Sequence, residues 1–141
     1  MQLATSIAQW LVRLTGITQI ALGVLLWSGR GFQLLPLHMA VGMLFVIGLW
    51  VLAGLAKSAG LGMRWVAGAV IWGIVIPAFG MAQTQLLPGP AHWVVRVVHL
   101  LIGIAAMVIA ALLARYIAAT RDARPARARS PRPSRATPIT F

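Results

Sequence analysis

The stretch Leu35-Pro36-Leu37-His38-Met39-Ala40-Val41-Gly42-Met43-Leu44-Phe45-Val46-Ile47-Gly48-Leu49-Trp50-Val51-Leu52-Ala53-Gly54-Leu55-Ala56 decides how this chain folds. Its 22 residues include no Lys, Arg, Asp or Glu, and their only ionisable side chain is His38. A helix of that length rises about 33 Å, enough to cross a hydrocarbon layer of about 30 Å. A second string of the same kind, Val98-His99-Leu100-Leu101-Ile102-Gly103, sits near the start of another long apolar run. In both strings a glycine follows the histidine four residues later. That glycine falls one turn along the same helical face and lets a flat ligand or a second backbone come close.

Outward from these strings, charges and turn residues cut the 141-residue chain into four segments of spanning length, at about 9–28, 35–56, 65–83 and 92–115. The breaks fall at Gly29-Arg30-Gly31, at Lys57-Ser58-Ala59-Gly60 with Arg64, and at Gln83-Thr84-Gln85 with Pro88-Gly89-Pro90. A hydrophobic content of 60% and a mean hydropathy of +0.90 exceed what a soluble domain of this size carries. The expected fold is all-α: an integral membrane four-helix bundle over residues 1–118. The first segment is expected to remain in the protein, because no basic residue precedes it until Arg13 and no small-x-small cleavage site follows.

Composition removes whole classes of chemistry. Without cysteine there are no disulfides, thiolate metal sites, iron–sulfur clusters or covalent c-type haem. Asp122 is the only acidic residue and lies past the last apolar run, so no carboxylate pair serves hydrolysis, cation binding or a proton relay. The net charge of +11 is concentrated in an Arg/Pro-rich tail, residues 119–141, with Arg121, Arg124, Arg127, Arg129, Arg132 and Arg135. Such a tail is expected to be disordered and to rest on anionic lipid or on a cytoplasmic partner surface. Nucleic-acid binding is not expected, since the tail has no folded reading element.

Basic residues cluster at Arg13, at Lys57 with Arg64, and in the tail, which predicts both termini on the cytoplasmic side, in a bacterial inner membrane. The six tryptophans, Trp10, Trp27, Trp50, Trp65, Trp72 and Trp93, are read as interfacial anchors. Two string matches suggest a repeated hairpin. Ile20-Ala21-Leu22-Gly23-Val24-Leu25 resembles Val70-Ile71-Trp72-Gly73-Ile74-Val75, and Gln33-Leu34-Leu35-Pro36 recurs as Gln85-Leu86-Leu87-Pro88. A parallel duplication would put the second and fourth helices in equivalent positions.

On that topology His38 and His99 share a depth in the outer half of the bilayer, within about 4.5 Å of each other. Imidazole is a common axial ligand of haem iron, and histidines on two facing helices would fill both axial positions of one haem b. The four-span layout and the two His-x-x-x-Gly strings resemble the membrane cytochromes b, whose four-helix bundles hold haem between histidines of different spans. By that resemblance His38 and His99 would be the axial ligands, and Gly42 and Gly103 would give the macrocycle clearance. The chain departs from two-haem members of that group because it lacks four suitably spaced ligands, so one haem is the limit.

Three further residues enter the reading. His92 lies seven residues before His99 on the same face, as an interfacial residue or an alternative ligand. Arg96 falls between them, and with no membrane carboxylate in the chain its partner is either a haem propionate or a lipid phosphate. Thr15, Gly16, Thr18, Gln19 and Gly23 form a small and polar stripe on the first helix, read as a packing face, with a quinone contact by Gln19 as the sharper alternative.

The expected function is a membrane-embedded electron-transfer subunit with one haem between the second and fourth helices, working with other membrane subunits of a respiratory or photosynthetic complex. It is not expected to be an enzyme on its own. The competing expectation is a cofactor-free accessory or assembly subunit. A chlorophyll-type pigment is the other cofactor considered, since its magnesium takes a single imidazole.

Overall fold

The computed structural model describes residues 2–129, with side chains described to residue 123. Four α-helices make up the fold: α1 (Gln2–Trp27), α2 (Leu35–Ser58), α3 (Met63–Ala82) and α4 (His92–Arg129). Single turns of 3-10 helix, Phe32–Leu34 and Gln83–Gln85, lead into α2 and out of α3. Each α-helix is long and apolar enough to span a membrane. A helix satisfies its own backbone groups, which is the condition hydrocarbon imposes on a spanning segment.

The helix ends follow local chemistry. Pro36 lies in the first turn of α2, where its missing N–H costs nothing and its fixed φ suits a helix start. α2 stops in a Schellman arrangement: Leu61 N–H donates to the Ala56 carbonyl at 3.0 Å and Gly60 N–H to Lys57 at 2.9 Å. The glycine there has φ +103°, which a residue with a Cβ rarely adopts. α1 starts seven residues before the expected position 9, because Thr5 and Ala8 are buried against the bundle. α4 runs on beyond the expected end at 115, through alanines and arginines that favour helix, to Arg129. The remainder of the Arg/Pro-rich segment, residues 130–141, lies outside the described residues.

In cross-section the bundle is a rhombus. α2 and α4 touch each other and both outer helices, whereas α1 and α3 have no contact among the described residues. This pattern places the second helix of each hairpin at the centre. The end carrying the α1–α2 and α3–α4 connections is called here the two-loop end, and the opposite end holds the α2–α3 turn.

Packing is unequal along the axis. The fully buried side chains Val46, Leu49, Leu52 and Ile117 lie toward the α2–α3 turn, with Ala53, Ala56, Ala106 and Ala114 between them. Small residues let the backbones approach, which is how helices gain dispersion contacts in a solvent as apolar as themselves. Val12 of α1 fills the space over Gly48 of α2 in the same layer. Toward the two-loop end this packing gives way to a cavity.

Two tryptophans correct the expectation that all six are interfacial anchors. The Trp50 indole N–H donates to the Val70 carbonyl of α3 at 3.2 Å, and the Trp72 N–H to the Ile102 carbonyl of α4 at 3.1 Å. Both lie mid-span, where an indole N–H has no water and takes a backbone oxygen instead. Trp10 and Trp65 are exposed beneath the Arg13 and Arg64 guanidinium groups, at 5.6 and 5.5 Å.

Candidate functional site, a histidine pair at a cavity

The short connection between α1 and α2 fixes an antiparallel register in which large residues of one helix meet glycines of the other. His38 stands opposite Gly23: its Cε1 is 3.9 Å from the point where a Gly23 Cβ would lie. One turn deeper the sizes are exchanged, with the Gln19 amide nitrogen 2.5 Å from the Cβ position of Gly42. The second hairpin repeats the upper half of this arrangement. His99 leans on Gly80 of α3, with Cε1 at 3.2 Å from its Cβ position, and stacks on Phe79 with ring centres 6.0 Å apart and planes 12° from parallel.

The structural equivalence of the hairpins is therefore Gly23 with Gly80, and not with Gly73 as the string match suggests. Gly73 is buried beneath the Trp50 indole, facing α2. The second match fails for a related reason. Leu35-Pro36 opens a helix, whereas Leu87 has φ +43° and lies with Pro88 in the loop before α4.

The two hairpins bring His38 and His99 together across the α2–α4 contact, with ring centres 6.4 Å apart and planes inclined by 47°. Both rings line a cavity of about 250 Å³ between α1, α2 and α4. An apolar cavity of about 150 Å³ admits benzene, so this space takes a ligand larger than one aromatic ring. Phe45, Met107 and Gly16 line its deep end. Phe45 is seven residues from His38 and Met107 eight from His99, which puts that floor about 10–12 Å below the rings. The Nδ1 atoms of both histidines and Oε1 of Gln19 are buried with no hydrogen-bond partner among the described residues.

The remaining expected residues divide. Gly103 borders the cavity, and its Cβ position meets nothing within 4 Å. The space over Gly42 is taken by the Gln19 amide. Arg96 is half-buried at the upper wall of the cavity and forms no hydrogen bond or ion pair among the described residues. His92 also borders the cavity, but its Nδ1–H donates to the Leu86 carbonyl at 3.2 Å, which ties the start of α4 to the preceding loop.

Sequence reasoning gave Gln19 a packing role and passed over Phe79 and Gly80. The signal for all three was the antiparallel register: in a tight hairpin, paired residue numbers sum to a nearly constant value. Counting back across the loop from His38 reaches Gly23, and from His99 it reaches Gly80.

Among the described residues no group of three or more His, Cys, Asp or Glu side chains could hold a metal ion. A metal held at this pair would take only two ligands from the protein and need the others from a group that carries it. Comparison with protein-family models, with curated proteins and with solved structures finds no match to this chain.

Proposed function

We propose that this protein is a membrane electron-transfer subunit that holds one haem b between His38 of α2 and His99 of α4. The observation that carries the reading is the 6.4 Å separation of two imidazoles from different spans beside a common cavity. Half that distance, 3.2 Å, equals an imidazole–metal bond of about 2.0–2.1 Å, as at zinc, plus roughly 1.1 Å from ring centre to nitrogen. The buried Nδ1 atoms of both rings, unpartnered among the described residues, support the same reading, since a buried polar atom without a hydrogen bond is costly.

Bound there, haem b would supply reversible one-electron transfer. The chain's own residues bind and orient. His38 and His99 would hold the group, Gly103 leaves clearance beside them, and Phe79 buttresses His99. Arg96, with no anion of its own chain nearby, supplies a guanidinium for a carboxylate at the mouth of the cavity. A pigment magnesium that takes one imidazole would leave the facing ring unused. The cavity lies toward the two-loop end, which faces outward when both termini are cytoplasmic.

The test is an absorption spectrum of the purified protein before and after dithionite. A sharp reduced α band is expected from the wild-type protein and from His92→Ala, and its loss from His38→Ala and His99→Ala. A colourless wild-type protein purified from haem-replete cells, or a band that survives His99→Ala, would overturn the assignment.

A further inference from the structure

Three buried polar atoms beside the cavity lack partners among the described residues, and two of them belong to one seam: Oε1 of Gln19 on α1 and Nδ1 of His38 on α2. The register described above places Gln19 one turn from Gly23, the residue His38 faces, and opposite Gly42, one turn from His38. The amide therefore lies one turn below the ring on the same interface, and both line the cavity. Their chemistry is complementary. A histidine that offers Nε2 to a metal carries its proton on Nδ1 and is a donor in need of an acceptor, whereas the amide oxygen is an acceptor in need of a donor.

We infer that Gln19 is a positioning residue for His38: its amide oxygen accepts the Nδ1–H of that ring when Nε2 is engaged by a metal. The inference rests on the haem reading above. A metal-bound histidine nearly always donates its other ring N–H, and the acceptor fixes the tautomer and strengthens the ring as a donor to the metal. A turn of the Gln19 side chain that brought its oxygen to Nδ1 would satisfy both orphaned atoms. α3 offers His99 no such partner. The position one turn before Gly80, equivalent to Gln19 before Gly23, is Ile76, which lines the cavity with an apolar side chain. The two axial ligands are thus unequal, and the inequality originates in α1.

The experiment compares midpoint potentials of haem-loaded wild-type, Gln19→Leu, Gln19→Glu and Ile76→Gln proteins by redox titration, with loading followed at the Soret band. Loss of the acceptor weakens His38 as a donor to ferric iron, so Gln19→Leu shifts the potential positive, by up to about 59 mV for a tenfold change in the ferric-to-ferrous binding ratio. Gln19→Glu replaces the amide with a stronger acceptor and shifts the potential negative. Ile76→Gln gives His99 the missing partner and shifts it negative. Loaded Gln19→Leu at the wild-type potential overturns the role of Gln19 and leaves the haem site standing. If Gln19→Leu does not fold, unchanged potentials in both Gln19→Glu and Ile76→Gln overturn it instead. A wild-type protein with no Soret band removes the haem reading itself.

Discussion

At the scale of single residues the glycines divide into two kinds. A Cβ on Gly48 would lie 2.8 Å from Cγ2 of Val12, a stiff side chain that is only 3% exposed and has nowhere to move. A Cβ on Gly103 would meet open space. Gly48→Ala is therefore expected to destabilise the bundle by about 1–3 kcal/mol through overpacking, while Gly103→Ala leaves its stability unchanged or slightly raised. Thermal unfolding in detergent micelles followed by circular dichroism checks both, and equal melting points would contradict the packing described. The sequence alone made His38, His99 and Arg96 conspicuous, because ionisable groups in hydrocarbon demand a reason. It could not show that the Gln19 amide occupies the space over Gly42, since that depends on which residues of α1 and α2 come opposite.

At the scale of elements, existence and order of the four helices were legible, as a run of apolar residues bounded by Gly, Pro and charge has few alternatives in a bilayer. Their ends were less so. Burial of Thr5 and Ala8 extends α1, and helix-favouring alanines extend α4, and neither effect is visible from hydropathy. The tryptophans show the same limit. Placed by distance from a predicted span end, Trp72 reads as an anchor, yet its N–H clasps the Ile102 carbonyl of α4. Trp72→Phe keeps an aromatic ring but removes that bond and part of the packed indole, with an expected cost of at least about 0.5–1.5 kcal/mol. Gly60→Ala places a Cβ where φ is +103° and is expected to cost about 1–3 kcal/mol at the α2–α3 turn. Denaturant titrations of the micellar protein read both, and a neutral Gly60→Ala would mean that the turn has another conformation.

At the scale of the whole molecule, the rhombic section follows from the two hairpins, and the distribution of charge gives an expected orientation. Because the chain has no cysteine, a single introduced thiol reports without background. Ser28→Cys at the two-loop end is expected to react in intact cells with a maleimide that cannot cross the membrane, and Ala59→Cys at the α2–α3 turn only after lysis. The reverse pattern would turn the molecule over and place the cavity on the cytoplasmic side. Whole-molecule shape was the least legible feature from sequence, since nothing in the spacing of apolar residues says that dense packing is confined to one half. That confinement has a consequence for traffic. Below Phe45 and Met107 the interior is plugged by Leu49, Leu52 and Ile117, so the cavity is a dead end on the side of the α2–α3 turn. On the function proposed above, electrons would enter and leave by the same side, and turnover of this subunit by itself would carry no charge from one compartment to the other.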